Sequence, residues 1–181
     1  MQALKLLPRM GWLFAGIAHP ESVAEHSFVM SWLALLLAEQ INTDYSAQGL
    51  AQPLDIAKIA HMALVHDVAE SILTDLPKRS TELLGKQAKY QAEATAMQRL
   101  FQEMPNGAYY VGCWHEYAEA ATPEARLVHD ADKLEMIHQA LWYEQNGQRN
   151  LAEFWQAHVW HYPASQNLFE ELCRLRFNNN L

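Results

Sequence analysis

The sequence predicts an all-α protein. Apolar residues recur at helical spacing along most of the 181-residue chain. Glycine and proline number only seven each, which leaves long stretches unbroken. The period-2 alternation of strands separated by turn signals occurs nowhere.

Residues 1–21 read as a short helix followed by the loop "GIAHPE". A long helix starts at "SVAEHSF", where Ser22 and Glu25 have capping-box spacing, and runs until the polar "NTDYSAQG". The next, "PLDIAKIAHMALVHDVAESIL", opens with Pro53 near its first turn. It is apolar around most of its circumference, as the central helix of a bundle is. "TDLPKRS" breaks it, because Pro77 disfavours a helical Leu76. Residues 81–104 read as one amphipathic helix ended by "PNG". Two more follow at "YYVGCWHEYAEA" and "PEARLVHDADKLEMIHQALWYEQN", and "LAEFWQAHVWHY" and "PASQNLFEELCRLRF" complete the helical reading.

The length suits one domain with a proper core. A net charge of −8 gives no electrostatic reason to hold a polymeric nucleic acid, although a small phosphorylated ligand needs only a local cation or a metal. Cys113 and Cys173 form no CxxC pair and suit a reducing compartment, so the expected location is cytoplasmic. The apolar run "SWLALLLAEQI" is too short to span a bilayer, and no membrane association is expected.

The tetrapeptide "LVHD" occurs twice, at 64–67 and 127–130. In the first copy, "HDVAE" puts Glu70 one helical turn after His66 and Asp67. Charged groups on a central apolar helix are costly unless a partner or a metal satisfies them, and both readings stand on local sequence. His26 heads the long apolar helix, Asp75 lies in the break, and Asp130 and Asp132 flank Ala131. Two His and two Asp from three helices supply four ligands of a divalent site. Periodicity does not choose between Asp130 and Asp132. His61, one turn before His66, and His138, on an apolar stripe, read as satisfied core residues, and His19, His115, His158 and His161 have no useful partner spacing.

The order of His26, His66–Asp67 and Asp132 resembles the HD-domain superfamily of metal-dependent phosphohydrolases. The stretches "LKLLPRMGW", "PESVAEHSFVM", "MALVHDVAESILTDLP" and "EARLVHDADKLEMIHQALWYE" are similar to its 5′-deoxynucleotidase branch. The resemblance implies one HD domain over 1–181, a helical bundle with the metal site between core helices. Its core covers about residues 20–150, and C-terminal helices at 151–181 pack on it. His26, His66, Asp67 and Asp132 match the four metal ligands, for one divalent ion such as Co²⁺ or Mn²⁺. Glu70 matches a catalytic acid that takes a proton or steadies a ligand. Asp75 matches a residue with a proton-transfer or sugar-hydroxyl role. Arg9 matches a phosphate-holding arginine, and Trp12 a tryptophan that favours 2′-deoxyribose by crowding a 2′-hydroxyl.

The implied activity is hydrolysis of deoxyribonucleoside 5′-monophosphates, with a small-molecule nucleotide as partner and a homodimer as assembly. "WHEYAEA" and "LAEFWQAHVWHY" are the expected apolar interface, and Glu116 matches an acidic residue on the lid side. Thr74 stands where some relatives have glycine, and Arg9 precedes Trp12 by three residues rather than one. The alternatives are another HD hydrolase, acting on a different small phosphate ester or a cyclic or hyperphosphorylated nucleotide, and a non-catalytic HD nucleotide-binding module. A paired-metal chemistry needs further His ligands before Asp132, where His115 and His129 form no paired pattern.

Overall fold

The computed structural model of the protein describes residues 1–178. The last three residues of the expected domain lie outside that range. Among the described residues no strand is present, and the chain is all-α. In order come α1 (Met10–Phe14), α2 (Val23–Thr43), α3 (Ile56–Val65), α4 (Glu70–Leu73), α5 (Lys78–Leu84), α6 (Lys86–Phe101), α7 (Gly107–Ala118), α8 (Pro123–Gln145) and α9 (Pro163–Asn178).

α2 begins where the sequence says it should. The Glu25 backbone N–H donates to Ser22 Oγ, and the Ser22 N–H donates back to the Glu25 carboxylate, a reciprocal cap worth about 1 kcal/mol. Val23, Met30, Ala34, Leu37 and Ile41 form its buried stripe, and His26 lies on the same stripe. α8 is capped by Thr122, with Pro123 in its first turn. α2, α3 and α8 pack on one another, α7 closes on α3, and α6 covers α7. α9 lies against α8 and α2. After α6 the chain turns so tightly that a Cβ on Gly107 would sit 1.9 Å from the Phe101 carbonyl oxygen, so only glycine fits there.

Three expectations need correction. The helix expected over 53–73 is two helices. Asp55, not Pro53, precedes its first turn, where the Asp55 carboxylate accepts the Lys58 N–H at 3.0 Å. α3 then stops at Val65, and the chain tightens into i→i−3 hydrogen bonds from Val68 to Val65, Glu70 to Asp67 and Ser71 to Val68. The helix expected over 81–104 is likewise split, because Gly85 adopts φ +87° and separates α5 from α6. Of residues 151–162 only Ala152–Trp155 is helical, as a 3-10 turn, and the rest is irregular.

Of the aromatics in the two expected interface segments, Trp114, Trp155 and Tyr162 are buried, and Tyr117, Phe154 and Trp160 are half-buried. Exposed apolar side chains run along α2 through Phe28, Val29, Trp32 and Leu36, and Val159 of the second expected segment is exposed too. Among the described residues no helix is long and apolar enough to cross a membrane.

Candidate metal centre and active site

Four separate pieces of chain meet at one point. A lone antiparallel bridge joins Pro8 to Ser22, with the Arg9 N–H on the Glu21 carbonyl and the Val23 N–H on the Leu7 carbonyl. That pairing lays the N-terminal segment beside the start of α2, so Arg9 and Trp12 arrive next to His26. α3 ends in His66–Asp67, and α8 contributes Asp132.

His26 Nε2 lies 3.2 Å from Asp132 Oδ1 and 3.8 Å from Asp67 Oδ2, and His66 Nε2 lies 3.0 Å from the same Asp67 oxygen. One ligand atom from each of His26, His66 and Asp67 falls within 4.8 Å of the others. Both Nε2 atoms are buried, and neither makes a hydrogen bond of good geometry. Their Nδ1 atoms are taken, His66 Nδ1 by the Ala63 carbonyl at 2.7 Å and His26 Nδ1 by Glu135 Oε2 at 2.5 Å. Two orphaned imidazole nitrogens facing two carboxylates are a donor set that fits a divalent ion.

The centre opens into a cleft of about 830 Å³. Glu70 lines it with a buried oxygen, Oε2, that has no hydrogen-bond partner. Asp75 lines it too, but its Oδ2 accepts the Met10 N–H at 2.6 Å and so holds the start of α1. Arg9 donates to Asp67 at 3.3 Å and approaches Asp132 at 3.9 Å. Trp12 is 2% exposed, packs against a tilted Phe154 ring with centroids 4.2 Å apart, and donates its indole N–H to Glu21 at 2.9 Å. Lys78, Arg79, Lys86 and Lys89 line the α5–α6 side of the cleft together with Glu82 and Glu93, so cations outnumber carboxylates there in a chain that is acidic overall.

The charges are strongly perturbed. Burial, reinforced by Asp67 and Asp75, pushes the Glu70 carboxyl up to about 10. Burial and Arg9 oppose the charged form of His26, but the Asp132 and Glu135 carboxylates beside its ring outweigh them and lift it to about 9. For Asp67 the burial penalty is likewise overcome, by His66, Arg9 and His26, and its carboxyl falls to about 2. Asp132 is held far below the usual range against its own burial, chiefly by His26 and Arg9. Burial and Glu135 raise Glu21 to about 7.

Eight of the residues singled out in the sequence therefore gather here: Arg9, Trp12, His26, His66, Asp67, Glu70, Asp75 and Asp132. Glu116 does not. It pairs with Lys58 at 2.6 Å and accepts from Thr122, away from the cleft lining. Sequence reasoning missed Glu135, although a carboxylate one turn after Asp132 on a buried stripe was a readable signal. It also missed Tyr117, whose hydroxyl donates to Asp132 at 3.3 Å, and Glu21, for which the sequence carries no signal.

A family model described as an HD domain matches residues 1–172. The chain is 32% identical to a Schizosaccharomyces pombe protein named 5′-deoxynucleotidase hdd1, over 97% of this chain and 86% of that one. It is 37% identical to the Dictyostelium discoideum protein named 5′-deoxynucleotidase HDDC2, over 78% and 73%. A crystal structure of a protein from Pyrococcus horikoshii OT3 matches with a TM-score of 0.80 at 37% identity, covering 96% of this chain and 95% of that one.

Proposed function

The chain belongs to the HD-domain family, and from that premise we propose that it is a metal-dependent phosphomonoesterase acting on deoxyribonucleoside 5′-monophosphates. The observation that carries the reading is the pair of orphaned Nε2 atoms of His26 and His66 facing Asp67 and Asp132 at the floor of a cleft. Relatives named 5′-deoxynucleotidase supply the substrate class.

His26, His66, Asp67 and Asp132 would hold one divalent ion, of the Co²⁺ or Mn²⁺ kind. When bound, it supplies positive charge against the phosphoryl oxygens and makes water a better nucleophile at neutral pH. Arg9 brings a planar guanidinium fork to the same place, suited to two phosphate oxygens. Water attacks phosphorus, the bond from phosphorus to the 5′-oxygen breaks, and the nucleoside leaves with a proton. Water must therefore lose a proton and the leaving oxygen must gain one. Glu70, buried, without a hydrogen-bond partner on Oε2 and protonated near neutral pH, is placed to give its proton to the leaving 5′-oxygen and to be restored by the proton that water releases. Asp75 keeps one oxygen for Met10 and has the other for a sugar hydroxyl or the same proton path. Trp12, wedged between Phe154 and Tyr143, is a rigid wall against which a 2′-hydroxyl is crowded.

Residues 1–181 are read as one HD domain, acting in the cytoplasm, where Cys113 and Cys173 stay unpaired. The assembly is read as a homodimer through α2, whose Trp32 is 56% exposed beside Phe28 and Leu36. Sedimentation of wild type and Trp32→Glu tests that, and a wild-type monomer contradicts it.

The activity is tested by phosphate release from dAMP, dGMP and dTMP against AMP, with EDTA and with added Co²⁺ or Mn²⁺. Metal-dependent release that favours the deoxy substrates is expected. Metal-loaded protein that releases nothing from any of them overturns the reading. Trp12→Phe should narrow the dAMP over AMP preference, and an unchanged ratio removes the sugar-wall role.

A further inference from the structure

We propose that Glu135 is the positioning residue that fixes the His26 imidazole for metal binding. The inference rests on the reading of His26 as a ligand. His26 is wholly buried on α2 and Glu135 is 1% exposed on α8, so neither has water to satisfy it. Their contact, Nδ1 to Oε2 at 2.5 Å, is short even for a charge-assisted hydrogen bond. A carboxylate accepts, so Nδ1 carries the proton, and Nε2 of the neutral ring is left to give its lone pair to an ion shared with Asp67 and Asp132.

The neighbouring imidazole shows the same arrangement from a different source. His66 gives its Nδ1 proton to the Ala63 carbonyl at 2.7 Å and turns a bare Nε2 toward Asp67. Both rings are therefore pinned by Nδ1 and present Nε2 to one point. Backbone suffices for His66 because α3 is ending there. α2 runs on unbroken past His26, and its own carbonyls are committed to the helix, so the acceptor must come from another element. α8 supplies it three residues after Asp132, on a neighbouring part of the same face.

A merely structural role leaves Glu135 unexplained. Burying a carboxylate in the α2–α8 core is costly, and among the described residues its ion-pair partner is His26, with no Lys or Arg alongside. Glu21 stands in the same cluster, with ligand atoms of Glu21, His26 and Glu135 within 4.8 Å of one another, and it takes the Trp12 indole N–H. Polar groups behind ligands commonly set ligand orientation and basicity, and their loss costs about 10- to 100-fold in metal affinity.

The test is titration of metal-stripped full-length protein with Mn²⁺, comparing wild type, Glu135→Gln, Glu135→Met and His26→Ala. A second readout is the ring ¹⁵N–¹H spectrum of the Zn²⁺-loaded protein, which locates the His26 proton. Expected are a loss of about 10- to 100-fold in Mn²⁺ affinity for E135M, a smaller loss for E135Q, and an Nδ1 proton in wild type that E135M exposes to exchange. Because E135M can unfold the core, E135Q decides if it does. E135Q affinity within twofold of wild type, or a wild-type His26 protonated on Nε2, overturns the proposal. H26A separates the two readings: unchanged affinity there removes the ligand assignment itself. A large loss in H26A with none in E135Q removes the positioning role alone.

Discussion

The tetrapeptide Leu-Val-His-Asp occurs at 64–67 and again at 127–130, and the two copies sit in different backbones. The first straddles the end of α3, where the chain tightens into i→i−3 hydrogen bonds, and the second lies in the regular body of α8. In the first copy His66 keeps an unsatisfied Nε2 and Asp67 faces the cleft. In the second, one imidazole nitrogen and both carboxylate oxygens are occupied within the fold. His129 Nε2 donates to the Tyr117 carbonyl at 2.7 Å, and the ring stacks on Tyr117 at 4.3 Å. Asp130, at 0% exposure, accepts the backbone N–H groups of His161 and Tyr162, the His161 ring and the Lys133 ammonium. Side-chain identity is therefore no guide to chemistry here, and what distinguishes a site from a strut is whether the polar atoms have been satisfied.

That contrast can be broken by substitution. Asp67→Ala should abolish measurable Mn²⁺ retention, a loss of at least about 100-fold, and phosphate release with it. Retention near wild type, read by metal analysis after desalting, would place the ion elsewhere. Asp130→Ala should do the reverse. It strips the acceptor from two backbone N–H groups and two side chains, costing about 2–4 kcal/mol in denaturant unfolding, with Mn²⁺ affinity within about threefold. A D130A protein of full stability, or one that loses its metal, would erase the distinction between the copies.

Protons sharpen the same contrast. His26 is raised from 6.5 to about 9, so its contribution to the metal-free fold is complete below pH 6.5 and is lost as pH rises through 9. Glu70 acts in the same direction, because a carboxyl raised to about 10 favours the folded state only while protonated. The metal-free protein should therefore lose stability between pH 6.5 and 9. An ion needs the neutral imidazole, so Mn²⁺ affinity should rise by up to about tenfold per pH unit over that window. Calorimetry in buffers of different ionisation enthalpy reads the released protons, and pH-independent binding would contradict the assignment of His26.

The smallest effect concerns the segment that follows the first copy. Thr74 is held at φ +74° and ψ 162°, a region suited to glycine and strained for a β-branched residue. Thr74→Gly should stabilise by about 1 kcal/mol, checked by the denaturant midpoint, and a lower midpoint would mean the threonine has a compensating role.

Much of this was legible in the sequence, for reasons that are local. The Ser22–Glu25 cap and the proline that opens α8 act within one helical turn, so their helices start where the pattern says. The break after Val65 was hidden because the apolar run continues through it unchanged, and nothing in "HDVAE" marks a tighter winding. Gly85 was absorbed into one long amphipathic pattern. The task of Asp130 was unreadable because its partners, His161 and Tyr162, lie some thirty residues on in an irregular segment. Periodicity left Asp130 and Asp132 equivalent, and the family resemblance favoured Asp132. The fold sets Asp132 beside His26 and Asp130 against His161.

The most direct measurement is an anomalous difference map from crystals grown with Mn²⁺, collected where manganese scatters anomalously. A single peak bonded to His26, His66, Asp67 and Asp132 is the predicted result. A peak at Asp130 and His161, or one that leaves out the first Leu-Val-His-Asp copy, would contradict the account.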